Sequence, residues 1–389
     1  MTLTDQLDRL ARVEPVPYPV VSLYLNTQPN EHGRDQFHRF VRQEFKARGQ
    51  TYPAGSPERD SLDKDLERIS RYLDFELQPS ANGVALFACS AADLFEAVQL
   101  TAPIDRHSLY ISDVPHLYPL ARLESQYPRH AAVVADTNTA RILVFATGEL
   151  VAQREVNGFK TRKTQQGGWS QSRFQRHISN FHVQHAKEVV EALDRIVQQE
   201  GIEQVFIAGD EVILPLLRDQ MPKHLADKVV DHLRLDTKAP VHDVLTATLE
   251  ALGRFNERTD REKVAAALDE YRAGGLGVVG PEATLDALVK GQVDELLLAA
   301  NVNTLHRLAP DRSATLGLSA ELANDSTLLE PAVDTTAAGE AAQADPQVVR
   351  LADEFVSRAR QTGARVTFIE DASLLQPYGG VAALLRFKV

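Results

Sequence analysis

Apolar positions along this chain alternate between short continuous runs and longer stretches at helical spacing. Tyr18–Leu25 reads as a buried strand that ends at Asn26-Thr-Gln-Pro29. From Arg34 to Arg48, Phe37, Phe40, Val41 and Phe45 recur at helical intervals and leave a basic face. A loop rich in Pro, Gly and Ser leads to a second helix over Arg59–Leu73. Strand-like runs follow at Gly83–Cys89 and Phe95–Leu100. Asp113–Leu120 reads as the close of this region, with a boundary near Tyr127-Pro128.

The second region opens with strands at Ala131–Ala135 and Arg141–Phe145, joined by a polar turn. His177–Gln199 carries Ile178, Phe181, Val189, Val190, Leu193, Ile196 and Val197, the stripe of a long amphipathic helix. Val205–Gly209 predicts a buried strand, and helical patterns run over Val212–Gln220, Val241–Phe255 and Asp260–Ala273.

In the third region, Pro281 opens a helix at the position where its missing N–H costs nothing, and Gly291 ends it. Val293–Leu298 predicts a strand, Val348–Thr362 a helix stopped by Gly363, and Arg365–Ile369 and Val381–Val389 two further strands. Residues 330–346, rich in Ala, Thr, Asp and Glu, read as a flexible insertion. Alternating strands and helices predict mixed α/β layers. The expected domains are 1–127, 128–255 and 256–389.

Composition narrows the class. The 389 residues carry 54 acids against 42 Lys and Arg, a formal charge of −12. A protein so acidic contacts nucleic acid only through patches. No apolar run approaches the ~18 residues of a membrane span. The charged, helix-like start, Met1–Pro15, lacks the apolar segment of a secretory signal, so the expectation is a cytoplasmic protein. A single Cys89 leaves no partner for an internal disulfide and no cysteine-based zinc site, and no cofactor is expected.

One stretch departs from this acidic background. Val156–Lys187 holds Lys160, Arg162, Lys163, Arg173, Arg176 and Lys187 and no Asp or Glu, where the average of the chain would place about four. Gly167-Gly168 at its centre lets backbone approach a ligand closely, and Trp169 is the only Trp of the chain. Cationic flanks around such a pair suit phosphates. The alternative is a solvated basic loop.

Here the pattern resembles a family. Gly167-Gly-Trp-Ser-Gln-Ser-Arg-Phe-Gln-Arg176 is similar to the GGQSAxRFxR loop of archaeal and eukaryotic class 1 peptide release factors. Gly280–Leu298 resembles the start of that family's third domain, and Tyr378-Gly-Gly-Val-Ala-Ala-Leu-Leu-Arg-Phe387 its C-terminal FGGIGGILRY. Asn82–Phe87 and Ser108–Ile111 match the first domain more faintly. The chain is identified as a bacterial relative of the release factor and Pelota superfamily, which includes ribosome hibernation factors. The resemblance implies a three-domain, tRNA-shaped protein that enters the ribosomal A site. Its first domain would sit in the decoding centre, and its middle domain would reach the peptidyl transferase centre and a P-site tRNA. The third would hold a translational GTPase such as elongation factor Tu or another partner. Lys160, Arg162, Lys163, Trp169, Arg173, Arg176 and His177 would contact RNA, as would Arg39 and Arg42 of the first region.

Departures from the family qualify the chemistry. Trp169 stands where the family has its catalytic Gln, and Gln171 could replace that Gln only through a slipped loop register. Gly167, Gly168, Trp169 and Gln171 are therefore the loop candidates for a reaction the chain is not expected to perform. The TASNIKS decoding loop is missing, its place taken by Asn26–Gly33 and the basic helix. Tyr110–His116 lacks the Cys and Phe of YxCxxxF. The expectation is a noncatalytic A-site factor of hibernating or stalled ribosomes. A ribosome-rescue peptidyl-tRNA hydrolase is one alternative, and an RNA- or protein-binding adaptor is another.

Other constellations are weaker. His177, His182 and His185 have no nearby Cys or carboxylate to complete a metal set and are read as RNA-facing or surface residues. Gly275-Leu-Gly-Val-Val-Gly280 fits GxGxxG but follows a helical pattern, not the strand a dinucleotide site needs. Ser170 and His177 lack a third triad partner.

Overall fold

The computed structural model describes residues 2–29, 37–158, 171–309, 332–333 and 345–388, with 171–178 and 332–333 described by their backbone alone. In chain order the first region contains α1 (Leu3–Leu10), β1 (Val20–Asn26), α2 (Phe37–Gly49), α3 (Pro57–Phe75), β2 (Gly83–Cys89), β3 (Leu94–Leu100), β4 (Ser108–Ser112) and α4 (Tyr118–Gln126). The middle region contains β5 (His130–Ala135), β6 (Thr139–Ala146), β7 (Glu149–Asn157), α5 (Gln171–Gln199), β8 (Gln204–Gly209), α6 (Ile213–Gln220), α7 (Lys223–Ala226) and β9 (Val229–Leu233). Then come α8 (Val241–Arg272), β10 (Gly277–Val279), α9 (Pro281–Val289), β11 (Val293–Ala299), β12 (Ala332–Val333), α10 (Pro346–Gln361), β13 (Arg365–Ile369) and β14 (Val381–Leu385).

These elements form three sheets, with strand orders β12-β4-β1-β2-β3, β7-β6-β5-β8-β9 and β10-β14-β11-β13. The central strands are largely apolar because both of their faces are covered. On β1, Val21, Leu23 and Leu25 face the core shared with α2 and α3. Tyr24 faces the opposite core, which holds Leu7 of α1 and Leu120 of α4. The middle sheet repeats the device. Ala131, Val133 and Ala135 of β5 pack with Val189, Val190 and Leu193 of α5, while Ala132 and Val134 pack with Val244 and Leu252 of α8. On β11, Leu296 and Leu298 join Phe355 of α10, and Leu297 joins Val264 and Ala267 of α8.

The described residues divide into two compact units, Met1–Gln126 with Thr259–Val389, and Tyr127–Arg258. The sequence reading separates 1–127 from 256–389. In the structure these stretches share one core, in which Leu7, Phe87 and Leu120 lie in the same cluster as Leu288, Leu296 and Phe355. Tyr118 donates its hydroxyl to the carbonyl of Ala299 at 2.5 Å, and Arg350 pairs with Asp113 at 3.1 Å.

Four further differences have local causes. The patterns at Val241–Phe255 and Asp260–Ala273 are one helix, α8, because the polar link between them contains neither Gly nor Pro. Residues 118–126 form α4, with Pro119 in the first turn where it is tolerated. β7 was hidden from periodicity because it is exposed along nearly its whole length. β9, half-buried through most of its five residues, was also unread. The insertion read at 330–346 lies outside the described residues, apart from the backbone of β12, which pairs with β4, and Asp345-Pro346 at the start of α10.

Candidate nucleic-acid interface

The basic stretch joins β7 to α5. Lys160, Arg162, Lys163, Gly167, Gly168 and Trp169 lie outside the described residues. Gln171, Arg173, Arg176 and His177 fall in the first two turns of α5, which begins six residues before the helix that periodicity delimited. The hydrophobic stripe is readable only from Ile178 onward.

No acidic residue occupies the first turn of α5. The N-terminus of a helix carries a partial positive charge, so acids there are stabilising and cations are not. Arg173 in that turn adds to the positive field. A helix N-terminus without acids in its first turn is unfavourable for a helix alone and favourable against an anion.

The start of the stretch is held by three contacts. Asp136 Oδ1 accepts the N–H groups of Asn138 and Thr139, each at 2.7 Å, which sets the turn between β5 and β6. Gly158 then donates its N–H to the carbonyl of Asn138 at 2.7 Å. A Cβ on residue 158 would lie 3.0 Å from His185 Nδ1 and 3.2 Å from the Asn138 carbonyl, so glycine permits this approach. His185 is 3% exposed. It belongs to the buried side of α5 with Ala186, Val189 and Val190, which corrects its reading as a surface or RNA-facing histidine. Burial pushes its pKa below the ordinary 6.5. Gln171 and His185 are separated by 14 helical positions, about 21 Å along the axis. The two ends of the basic stretch therefore leave the folded unit far apart.

The second predicted set stands on α2. Phe37, Phe40, Val41 and Phe45 are buried, and Arg39, Arg42 and Lys46 are exposed. Arg42 Nε donates to the carbonyl of His38 at 3.2 Å. Arg48 is half-buried, and Arg34 lies outside the described residues. This is a cationic helix surface of the kind that meets phosphates, positioned by aromatic packing beneath it.

The remaining candidates resolve simply. Cys89 is fully buried, and burial pushes its thiol pKa up, so it is core and not a nucleophile. Among the described residues no group of His, Cys, Asp or Glu is placed to hold a metal ion. No helix among them is long and apolar enough to cross a membrane. Sequence reasoning missed the roles of Asn138 and Gly158 and misread His185. The one available signal was a glycine directly after the polar run that proved to be β7.

Comparison with known proteins agrees with this layout. Residues 115–252 match the model of bacterial archaeo-eukaryotic release factor family 10, and residues 258–389 match that of eRF1 domain 3. The chain is 22% identical over 348 residues to peptide chain release factor subunit 1 of Thermoplasma acidophilum, covering 83% of this chain and 81% of that one. It is 23% identical over 288 residues to the protein of the same name from Methanobrevibacter smithii, covering 70% and 69%. Archaeal Pelota, in a model of ribosome-bound Pelota and ABCE1, aligns with 13% identity, 100% and 95% coverage and a TM-score of 0.41. Two family models in sequence order, over the segments that carry the GGW and third-domain resemblances, give the assignment: the chain belongs to the bacterial archaeo-eukaryotic release factors.

Proposed function

We propose that this protein is a translation factor that binds the ribosomal A site in the manner of a tRNA and does not hydrolyse peptidyl-tRNA. The observation that carries this reading is the acid-free basic stretch, Val156–Lys187, placed inside the family 10 match and running into the N-terminus of α5. Its relatives in T. acidophilum and M. smithii are named peptide chain release factors.

On this reading Lys160, Arg162, Lys163, Arg173, Arg176 and His177 neutralise phosphates of rRNA and of a P-site tRNA, with release of their counterions. Arg39 and Arg42 make a second contact from region 1–127 in the decoding centre. Region 256–389 binds a partner such as a translational GTPase. The remaining acidic surface opposes nonspecific RNA binding. Such a factor serves hibernating or stalled ribosomes.

The argument against hydrolysis rests on Trp169. Ester cleavage needs a water in line with the carbonyl and a hydrogen-bond donor at the developing oxyanion, and losing one such donor costs about 10²–10³ in rate. A main-chain N–H at position 169 keeps the donor, but an indole takes the volume of the water. Stacked on a base, the indole instead adds roughly 1–3 kcal/mol to binding.

Release of labelled formyl-methionine from programmed ribosomes tests this reading. The wild-type protein releases none, and Trp169→Gln gives slow release. Robust release by the wild type, lost in Gly168→Ala, would replace this reading with that of a hydrolase.

A further inference from the structure

His185 is a buried polar side chain for which the described residues supply no well-formed hydrogen bond. It is 3% exposed, and among the described residues neither ring nitrogen makes a well-formed hydrogen bond. Buried polar groups are nearly always satisfied, so an exception needs an explanation. Its position suggests one. The ring lies on α5 against Gly158, near the start of the basic stretch, at a separation that would put a Cβ 3.0 Å from Nδ1. On the opposite side Gly158 is tied to the Asn138 carbonyl. The exit of β7 is thus clamped between a polar turn and an imidazole.

The charged groups around the ring are few. Glu188 and His182 approach from α5 and Asp136 from the turn between β5 and β6, and Gly158, just past the end of β7, lies against the ring. The Thr139 main chain acts on the ring as a weak hydrogen-bond partner that favours the charged form. Asp136 is already occupied by Asn138 and Thr139, and Glu188 accepts from Gln184 Nε2 at 2.9 Å. Burial outweighs these carboxylates, so the neutral ring is the form that fits.

We propose that His185 is an acid-sensitive latch at the root of the basic stretch. Neutral, it is the seat on which Gly158 rests. Protonated, it needs water or a carboxylate, leaves the seat, and detaches the end of β7 from α5. The sign follows from linkage. A histidine whose pKa is lowered in the closed form contributes its full stability above the ordinary 6.5, and that stability is lost as pH falls below it. The opening constant then rises about tenfold per pH unit within the shifted range. This rests on the proposed function for its consequence, weaker ribosome binding in acid, but the latch has a readout of its own.

The test is hydrogen exchange of the full chain at pH 7.5 and pH 5.5, corrected for intrinsic rates and read at Gly158, Asn138 and Thr139. In the wild type, protection of the Gly158 amide falls about tenfold at the lower pH. In His185→Leu, which cannot titrate, it stays constant, and His185→Gln serves the same purpose should leucine prevent folding. Constant protection in the wild type, or an equal fall in both variants, would overturn the latch. Ribosome co-sedimentation of the same proteins separates the two claims. No binding at pH 7.5 would count against the proposed function alone. Binding at pH 7.5 with constant Gly158 protection would count against the latch alone.

Discussion

His116 and Asp353 stand 237 positions apart in the chain and meet at 2.6 Å, Nδ1 to Oδ2, both buried. The other carboxylate oxygen of Asp353 accepts the N–H groups of Leu117 at 2.8 Å and Tyr118 at 3.0 Å. Asp353 of α10 therefore caps α4 from a different region of the chain. Its negative charge faces the positive end of that helix, as an N-cap residue would from within it. Tyr110 lies over the His116 ring at 3.8 Å, and Ser22 Oγ accepts the His116 N–H at 2.9 Å. This contact joins the sheet of the first region to the helix layer of the third.

Removing the carboxylate leaves an imidazole and two helix N–H groups buried without a partner. Breaking such a pair costs about 3–5 kcal/mol. Asp353→Ala is expected to lower the stability of the unit that contains it by that amount in urea unfolding. Asp353→Asn, which keeps an acceptor for the helix N–H groups, should lose less. Equal unfolding midpoints for wild type and Asp353→Ala would show that the cap carries no weight.

Asp65 makes the fold sensitive to pH in a defined window. The residue is fully buried, Ser90 Oγ donates to Oδ1 at 2.5 Å, and Oδ2 has no partner. Burial raises its pKa from 3.8 to about 6. The folded state then holds the proton more tightly than the unfolded chain, so this contribution is complete below pH 4 and is lost as pH rises through 6. Asp65→Asn should be more stable than wild type at pH 7.5, on the order of 1–2 kcal/mol, with the difference vanishing near pH 4. Thermal melts of both proteins across this range provide the check. A variant that is less stable at pH 7.5 would contradict it.

Much of the fold was legible because sheets covered on both faces produce continuous apolar runs, as at Val205–Gly209 and Gly83–Cys89. The α2 stripe of Phe37, Phe40, Val41 and Phe45 was legible from its helical spacing, since one face of the helix is buried. What remained hidden had no local pattern. β7 is polar and exposed, and α8 continues through a polar link. The partnership of Asp353 with His116 leaves no trace at either position. The site divides in the same way. A basic stretch free of acids is visible in composition alone, whereas the burial of His185 under Gly158 depends on how β7 and α5 meet.

Ribosome binding should weaken steeply with salt. The slope of log affinity against log salt should fall by about 0.7–0.9 for each phosphate contact removed. Arg173→Glu with Arg176→Glu is expected to nearly abolish co-sedimentation, because each substitution replaces an attraction with a repulsion. Undiminished binding by the double variant would remove α5 from the interface.

Codon identity should not matter. The TASNIKS loop is absent, and Tyr110–His116 lacks the Cys and Phe of its counterpart. Tyr110 and His116 are instead packed against each other in the core contact around Asp353. Filter binding to ribosomes with a stop codon, a sense codon or no message in the A site should give equal affinities. A clear preference for stop codons would contradict this assignment of the first region.

The most direct measurement is cryo-electron microscopy of ribosomes purified with the tagged protein. The account predicts density for the chain in the A site. The stretch from Lys160 to Arg176 should lie against rRNA near the peptidyl transferase centre, with the indole of Trp169 stacked on a base and any P-site peptidyl-tRNA intact. Density outside the A site, or a basic stretch turned to solvent, would contradict it.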